Sequence, residues 1–481
     1  MPGLAVGVGV DIGSTNTKVV SSTVDGPIRV LTHPTPDEPD RLVSVVLRLI
    51  RDIVSESPLP PVAVGISSMA ETGWALGDSG PLTPLLRWDA ARDPRPMSSL
   101  AEEVGADGWF AATGVRPGPR PLLGTLLDLR SSHPETLSAM RRWTGVADAV
   151  HLALTGALRT DHTLAGRSLA YRLPPTGEPL DRSFDSEMLG LVGVTPEQMP
   201  TVGLPGDPLD GLTPEAASAT GLAAGTPVLV AGHDHQVAAW ASGVRCSGEV
   251  ANSVGTAEAV LGLVAGVSDR VPLRHEGMSL VRVVDGITEA VLAGSPSSGA
   301  FLQWMADAET GGDVEQLLSG SAERLPSPGF WLPYPSGRQS PHPDPAASVR
   351  RIGPAGDPGT EALEAVSLQA AWLIGRVQEL AGLSVERTTI IGEPVRRNPL
   401  WGKLKATLAG NAIELVITEQ PVASGAALLA LVRAEEAPPD SRFPTETVEP
   451  LPLVREYRQR LAEFVRAALL TKGVRPLPMT E

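Results

Sequence analysis

The sequence of 481 residues predicts an α/β protein with two related domains. The first observation is the order of elements at the N-terminus, where three strand-like runs precede an amphipathic helix and a further buried strand. This β-β-β-α-β order is typical of a mixed sheet flanked by helices. The second observation is a pair of similar Gly-hydroxyl turns, Gly13-Ser14 and Gly255-Thr256, each inside an apolar hairpin. Two such turns predict two domains that face one ligand.

The N-terminal elements follow from hydrophobic periodicity and turn residues. Residues 5–12 read as a buried strand, "TKVVSSTV" as the next, and Asp25-Gly26 as the hairpin turn before "PIRVLTH". Residues 38–54 place apolar side chains at helical spacing with a polar opposite face. "PVAVGISS" then reads as a buried strand, and "GWAL" with "PLLRW" as a second hairpin around "GDSGPL".

The later elements are predicted in the same way. Residues 227–243 read as a strand followed by a helix, with Asp234 at the junction, and residues 248–264 as strand, turn and strand. The remaining predicted elements are a helix at 360–381, a strand at 388–392, a helix at 401–409, a strand at 413–417 and helices at 423–434 and 454–470.

Composition and charge exclude several classes of function. The chain is 42% hydrophobic and 20% charged, as a globular protein is, and its net charge of −16 argues against nucleic acid or an anionic membrane as the main partner. No run approaches the roughly 20 apolar residues of a membrane helix, and the N-terminus lacks the basic region of a signal peptide. The lone Cys246 fits a reducing compartment. We therefore expect a cytoplasmic protein, and the sequence leaves a homodimer open.

The stretch "DIGSTNTK" carries the chemistry of the first turn. A hairpin turn at Gly13 leaves backbone N–H groups free to hold phosphate oxygens. Ser14 and Thr15 add hydroxyl donors, and Lys18 offers a point charge to a phosphate. Asp11 can hold Mg²⁺, directly or through water. A plain hairpin with polar turn residues is the alternative interpretation.

Asp234 is the second candidate. It follows a buried strand beside Gly232, where a carboxylate at the carboxyl end of a strand can reach a ligand. The flanking His233 and His235 point in opposite directions if the segment is extended, so packing or a substrate hydrogen bond is favoured over metal ligation. Helix N-capping by Asp234 is the competing interpretation.

Seven segments, in order, resemble the FGGY family of carbohydrate kinases within the actin-like ATPase superfamily, and the likeness is to xylulose, glycerol and gluconate kinases. These segments are "DIGSTNTK", "GISSMAETGWAL…PLTPLLRWDAAR", "LALTGALRTDHTLAGRSLAYRL", "GTPVLVAGHDHQVAA", "SVGTAE", "GSPSSGAFLQWMAD" with "LPYPSGRQSP", and "RRNPLWGKLKATLAG…ASGAALLA". The resemblance implies two ribonuclease-H-like domains with a central cleft. Residues 1–244 would form the sugar-binding side and residues 245–481 the nucleotide-binding side.

The resemblance also implies a reaction, which is ATP-dependent phosphorylation of a hydroxyl of a small sugar or polyol, such as a ketose or pentulose. Asp234 would be the general base, and Asp11 would hold Mg²⁺. The nucleotide would be bound by Asp11, Gly13, Ser14, Thr15, Lys18, Gly255, Thr256, Gly392 and Asn398. The acceptor would be bound by Glu71, Thr72, Trp88, Arg92, Asp234 and His235.

The chain departs from the family pattern in four places. Ala90 lies two positions after Trp88, where the family often has an acid, and Arg338 of "GRQSP" stands where an acid is common. The adenosine segment "IGEPVRRNPLW" keeps Gly392 but lacks the usual run of glycines, and Ala70 stands where glycerol-kinase-like members carry arginine beside the acid. Two alternatives follow. One is a regulatory protein on the same fold that binds ATP or sugar without turnover. The other is an actin-like or chaperone-type ATPase, which the sugar-lining segment disfavours.

Overall fold

The computed structural model describes residues 5–320 and 324–470, and two large mixed sheets organise these residues. The first half contains the strands β1 Gly7–Ile12, β2 Asn16–Thr23, β3 Gly26–Pro34, β4 Ala63–Ser68, β5 Gly73–Gly77, β6 Gly80–Pro81, β7 Arg142–Gly145, β8 Arg159–Asp161, β9 Thr201–Gly203, β10 Asp210–Gly211 and β11 Pro227–His233. Its helices are α1 Pro39–Ser55, α2 Arg95–Val104, α3 Ala106–Thr113, α4 Leu122–Ser132, α5 Pro134–Ala139, α6 Val146–Thr155, α7 His162–Ala165, α8 Ser186–Gly190, α9 Pro214–Thr220 and α10 Asp234–Ala241, with a 3-10 turn at Pro196–Gln198.

The second half continues with the strands β12 Glu249–Val254, β13 Glu258–Val264, β14 Ser279–Arg282, β15 Glu289–Ser295, β16 Phe330–Leu332, β17 Arg350–Ile352, β18 Arg387–Ile391, β19 Ile413–Val416 and β20 Thr445–Val448. Its helices are α11 Val271–His275, α12 Gly299–Glu309, α13 Val314–Leu318, α14 Pro358–Ala381, α15 Glu393–Arg397, α16 Pro399–Ala409, α17 Pro421–Arg433 and α18 Val454–Leu469.

The two large sheets share one topology. In the first sheet, β1, β2 and β3 form an antiparallel meander, β4 runs parallel to β1, and β11 runs parallel to β4. In the second sheet, β12, β13 and β15 form the meander, β18 runs parallel to β12, and β19 runs parallel to β18. A short antiparallel strand, β10 or β20, follows at the same edge of each. The predicted α/β class and the predicted pair of related units are confirmed.

Two helices lie between the sheets, and glycines allow their close approach. A Cβ atom on Gly9 of β1 would lie 1.9 Å from the carbonyl oxygen of Ala423, and one on Gly65 of β4 would lie 1.9 Å from that of Ala426. Strands β1 and β4 therefore contact α17 through backbone, which only glycine permits. Helix α10 packs into the core that Ala251 and Leu261 of the second sheet share with α17. Because each helix follows the last parallel strand of its own sheet, the two halves meet through equivalent elements.

Outer helices cover the remaining faces of both sheets. Helices α1 and α6 bury apolar side chains on the first sheet, and α14 and α16 do so on the second. Across the described ranges 5–320 and 324–470, no helix combines the length and apolar character that a membrane span needs.

The first turn of α6 buries an acidic side chain whose charge makes stability depend on pH. Asp148 Oδ2 accepts a hydrogen bond from the Gly145 backbone N–H at 2.9 Å. Burial raises the pKa of Asp148 from 3.8 to about 7, against the opposing hydrogen bonds from Gly145 and Thr160. The folded chain thus binds this proton more tightly than the unfolded chain does. The free energy of unfolding therefore falls as pH rises from about 4 to about 7 and is then constant.

We expect Asp148→Asn to raise the melting temperature above pH 7 by a few degrees and to flatten its decline between pH 4 and pH 7. Asparagine keeps an acceptor oxygen for Gly145 and carries no charge. Differential scanning fluorimetry across this range measures the effect, with Asp78→Asn as the control because that side chain is 80% exposed. Parallel pH profiles for wild type and Asp148→Asn would contradict the assignment.

Candidate active site

The turn between β1 and β2 is fixed by contacts to its carbonyl groups. The Gly13 N–H donates to the Asn16 carbonyl at 3.1 Å, and Thr35 Oγ1 donates to the Gly13 carbonyl at 2.7 Å. Arg87 Nη2 donates to the Ser14 carbonyl at 2.8 Å. Ser14 is half-buried and Thr15 is exposed, so the turn presents a polar surface on a rigid backbone.

Arg87 was not among the predicted site residues. Its guanidinium is anchored by Asp89, 3.0 Å from Nε, and by Asp37, 3.4 Å from Nη1. Arg87 therefore joins the first turn to the segment before Trp88. Its position next to Trp88, a predicted acceptor-binding residue, is the feature of the sequence from which Arg87 could have been predicted.

An acid and a lysine face each other at the base of this turn. Asp11 and Lys18 are opposite one another in the β1–β2 ladder, and Asp11 Oδ2 lies 3.6 Å from Lys18 Nζ. Burial raises the pKa of Asp11 to about 6, Lys18 lowers it, and the nearby Asp234 raises it further. The structure thus brings Asp11, Lys18 and Asp234 together, although 223 positions separate Asp11 from Asp234.

Asp234 is the first residue of α10, and His233 occupies the N-cap position. The N-cap interpretation of Asp234 is therefore wrong. Its Oδ1 accepts a hydrogen bond from the His235 N–H at 2.6 Å. Burial alone would raise the pKa of Asp234, but the His235 side chain and N–H together with Lys18 outweigh it, and the pKa lies below its usual value. Asp234 is therefore a carboxylate at neutral pH.

Both flanking histidines lie near the Asp234 carboxylate. Its Oδ1 is 3.2 Å from His233 Nε2 and 3.9 Å from His235 Nε2. The two imidazole rings contact edge to face with centroids 5.4 Å apart. The expectation that they point in opposite directions is wrong. Residues two apart in an extended strand share a face, and here α10 begins at Asp234 with both rings near its carboxylate. Burial lowers the pKa of His233 to about 3, so this ring is neutral.

The predicted acceptor-binding residues form a connected group. Glu71, at φ 62°, pairs with Arg167 through Oε1 and Nη2 at 3.0 Å. Thr72 Oγ1 accepts a hydrogen bond from the Trp88 N–H at 3.1 Å. Arg92 Nη2 donates to the Arg87 carbonyl at 2.8 Å. Within the described part of the chain, the buried Nη1 atoms of Arg92 and Arg167 have no hydrogen-bond partner, so each has a free donor.

Arg167 is a second residue that the sequence did not single out. It lies 96 positions from Glu71 and contributes to lowering the pKa of His233. The guanidinium therefore pairs with the acid of the acceptor segment and lies near the histidine beside Asp234. A lone arginine in "AGRSLAY" gives no sign of this position.

The second Gly-hydroxyl turn is held by α12. The Gly299 N–H donates to the Gly255 carbonyl at 3.0 Å, and the Ala300 N–H donates to the Thr256 carbonyl at 2.9 Å. Gly255 and Thr256 are both exposed. A Cβ atom on Gly392 would lie 2.3 Å from the Val254 carbonyl oxygen, which places Gly392 against the strand that leads into this turn.

Asn398 has a structural contact of its own. Its Oδ1 accepts a hydrogen bond from the Trp401 N–H at 3.2 Å and so caps α16. Its predicted contact with the nucleotide stays a prediction.

A buried ion pair supports the second turn. Lys405 Nζ on α16 donates to Glu258 Oε1 at 2.5 Å and to Asn252 Oδ1 at 2.8 Å, and Asn252 Nδ2 donates to Glu258 Oε1 at 2.8 Å. Glu258 pairs with Val254 across the hairpin, next to the turn itself. This network ties both arms of the turn to the helix that follows Gly392 and Asn398.

Comparison with known proteins identifies the first half of the chain as a domain of a carbohydrate-kinase family. Residues 6–241 match the model of the FGGY family of carbohydrate kinases, N-terminal domain. L-fuculokinase of Escherichia coli K12 is 29% identical over 36% of this chain, and the match spans 35% of that relative's own length. Glycerol kinase of Solidesulfovibrio magneticus is 24% identical over 87% of this chain and 88% of the relative.

The fold is shared with solved structures. A xylulose kinase from Rhodospirillum rubrum superimposes with a TM-score of 0.85 at 21% identity, covering 97% of this chain and 99% of that one. This similarity confirms the predicted actin-like ATPase fold with its two ribonuclease-H-like units. Residues 6–241 therefore form an N-terminal domain of the FGGY family of carbohydrate kinases, and the fold of nearly the whole chain is that of a solved xylulose kinase.

Proposed function

We propose that this protein transfers the γ-phosphoryl group of ATP to a hydroxyl of a small sugar or polyol, such as a ketose or pentulose, with Asp234 as general base. The observation that carries the proposal is the placement of the Asp234 carboxylate beside the first phosphate turn. It is close enough to Asp11 and Lys18 that Asp234 raises the pKa of Asp11 and Lys18 lowers the pKa of both carboxyls. A base and a phosphate-binding cation at one place are what phosphoryl transfer to an alcohol requires.

Each residue then has a separate task. In the turn at Gly13, the N–H groups and hydroxyls of Ser14 and Thr15 hold phosphate oxygens, since the Gly13 N–H already donates to the Asn16 carbonyl. Lys18 neutralises charge that develops during transfer. Asp234 accepts the proton of the attacking hydroxyl. Its lowered pKa keeps it ionised, so this acceptor is available throughout the neutral range.

Asp11 fits a role as the Mg²⁺ ligand. Its buried carboxylate has a pKa raised to about 6, so a cation beyond Lys18 would stabilise its charged form. Among the residues at 5–320 and 324–470, no three His, Cys, Asp or Glu side chains form a metal-binding group. Mg²⁺ is commonly held by one or two carboxylates with substrate phosphates and water. When bound, the ion supplies charge neutralisation at the phosphates.

We place the domain boundary at 244/245, with the sugar-binding side in residues 1–244 and the nucleotide-binding side in residues 245–481. The repeated sheet topology supports this division. In the second domain Gly255 and Thr256 would contact the β- and γ-phosphates, and Gly392 with Asn398 would lie near the adenosine.

The acceptor would contact Glu71, Thr72, Trp88, Arg92 and His235. The ion pair with Arg167 fixes the Glu71 carboxylate, and the guanidinium of Arg120 covers the Trp88 ring at 5.5 Å. Rigid polar groups beside an aromatic face suit a small polyhydroxylated ligand.

The exposed thiol of Cys246 supports a reducing compartment such as the cytoplasm.

A panel of acceptors tests the proposal. ADP release from ATP and Mg²⁺ is measured with D-xylulose, L-fuculose, glycerol, erythritol and D-gluconate, beside thermal shift with each compound. We expect at least one acceptor to stimulate ADP release and raise the melting temperature. Thermal stabilisation by ATP without ADP release from any acceptor would support the regulatory alternative.

We expect Lys18→Ala to lower kcat/KM for ATP by roughly 10- to 100-fold, the value of one charge-assisted contact of about 1.5–3 kcal/mol. The Lys18 side chain is 31% exposed, so its ammonium group can turn from Asp11 toward a phosphate. Steady-state ADP release at varied ATP measures the loss, with Lys403→Ala on the exposed face of α16 as control. Unchanged kcat and KM for ATP would remove Lys18 from the site.

A further inference from the structure

We propose that Asp161 and Thr163 are positioning residues that hold the backbone turn presenting Asp234, and that His162 ties this turn to the second half of the molecule. The proposal rests on the proposed function, in which Asp234 is the base. Its basis is one contiguous set of buried contacts that runs from Val283 in the second half to His233.

The strand before Asp234 is irregular at the point where this network meets it. Strand β11 shifts register against β4 between Val230 and Gly232. Gly232 has a φ of 118°, and a Cβ atom there would lie 2.3 Å from Thr163 Oγ1 and 2.7 Å from Asp161 Oδ1. Glycine is needed here both for its backbone conformation and for the space that the two side chains occupy.

Two hydroxyls fix the turn from opposite sides. Thr163 Oγ1 accepts a hydrogen bond from the His233 N–H at 2.9 Å and donates to Asp161 Oδ1 at 2.5 Å. Ser67 Oγ, on β4, donates to the Gly232 carbonyl at 2.9 Å. Thr163 is 2% exposed, so water does not compete for these bonds. The peptide unit between Gly232 and His233, one residue before Asp234, is thereby held through both its carbonyl and its N–H.

Asp161 orients the threonine hydroxyl. Its Oδ1 also accepts a hydrogen bond from the Thr163 N–H at 2.8 Å, so the carboxylate leaves the hydroxyl lone pairs facing His233. Replacing the hydroxyl by a methyl group would leave a buried N–H without a partner and release the turn.

The same carboxylate connects to the second half. Asp161 Oδ2 lies 3.2 Å from His162 Nδ1, and His162 Nε2 donates to the Val283 carbonyl at 3.0 Å. His162 is 2% exposed, and Val283 follows β14 of the second sheet. If the two halves move relative to each other, His162 moves with Val283. The contacts of Asp161 and Thr163 would then change the position of Asp234.

Kinetics of Thr163 variants test the assignment. We expect Thr163→Val and Thr163→Ala to lower kcat roughly 10- to 100-fold with KM for ATP within about twofold, because a small misplacement of a catalytic group has effects of this size. Thr163→Ser, which keeps the hydroxyl, restores activity. The matched control is Thr160→Val, since Thr160 is a buried threonine nearby whose side chain affects the pKa of Asp148 and has no contact with the Gly232–His233 turn among the hydrogen bonds of the described residues. The assay uses whichever of D-xylulose, L-fuculose, glycerol, erythritol and D-gluconate the wild type phosphorylates fastest.

Hydrogen exchange provides a measurement that does not need activity. Peptides covering residues 229–236 should exchange at least several-fold faster in Thr163→Ala than in wild type or Thr160→Val. A kcat for both Thr163→Val and Thr163→Ala within twofold of the control, or unchanged exchange of these peptides, would overturn the proposal. A serine variant as slow as alanine would also overturn it. Wild type without turnover on any acceptor would count against the proposed function instead, and exchange would still decide whether Thr163 holds the turn.

Discussion

Asp234→Asn should lower kcat by roughly 10²- to 10⁴-fold while leaving the melting temperature nearly unchanged. A sugar hydroxyl is a weak nucleophile until its proton has an acceptor, and asparagine retains the shape of Asp234 but cannot accept that proton. The Oδ1 atom of asparagine can still accept from the His235 N–H, which preserves the local structure. ADP release at saturating ATP and acceptor, beside scanning fluorimetry, measures both quantities.

The competing role for Asp234 is to position the acceptor. In that case the hydrogen bond matters more than the charge, and the loss in kcat stays below about tenfold with a raised KM for the acceptor. Asp107→Asn on α3 is the control, because its side chain is 53% exposed and the change in formal charge is the same. A near-normal kcat in Asp234→Asn would exclude Asp234 as the base.

Lys405→Met should lower the free energy of unfolding by about 3–5 kcal/mol, the usual consequence of removing one partner of a buried ion pair. The side chains of Lys405 and Glu258 are 4% and 1% exposed, so the remaining carboxylate would have neither water nor a cation. Since Glu258 adjoins the Gly255-Thr256 turn, which we propose to contact the β- and γ-phosphates, KM for ATP should rise as well. Denaturant unfolding and steady-state kinetics measure the two effects.

A second substitution distinguishes the effect of an unpaired buried charge from the effect of changing the Lys405 side chain. The double variant Lys405→Met with Glu258→Gln removes both charges, and we expect it to recover much of the lost stability. Lys403→Met on the same helix is exposed and should leave stability within about 0.5 kcal/mol of wild type. Equal unfolding free energies for Lys405→Met and Lys403→Met would show that the pair does not stabilise the fold.

Local patterns in the sequence predict most of the fold. The N-terminal meander is correct because its strands are consecutive and its Asp25-Gly26 turn has a recognisable signature, with Gly26 at φ 126°. The helix at 38–54 appears as α1 because its apolar stripe is regular. Boundaries differ by a residue or two, as at β18, which ends at Ile391. Capping and sheet edges set those ends, and periodicity does not report them.

The candidate site also contains residues that local sequence patterns predict and residues that only the tertiary structure reveals. Asp11, Lys18 and Asp234 could be predicted from local sequence, because the first two flank a glycine turn and Asp234 follows a buried strand. Arg167 and Thr163 could not, since they act on residues 96 and 70 positions away and no local pattern marks them. The environment of His233 also depends on tertiary structure, because the start of α10 sets the direction of its neighbour His235.

The most direct test of the central claim is the stoichiometry of the reaction catalysed by the wild-type chain. Wild-type protein is incubated with ATP, Mg²⁺ and the most effective acceptor, and ADP and phosphorylated acceptor are quantified together by ³¹P NMR and mass spectrometry. The proposal predicts one phosphorylated acceptor for each ADP, with little ADP formed when the acceptor is omitted. ADP release at the same rate without acceptor, and no phosphorylated product, would show an ATPase and contradict the claim that this chain is a sugar or polyol kinase.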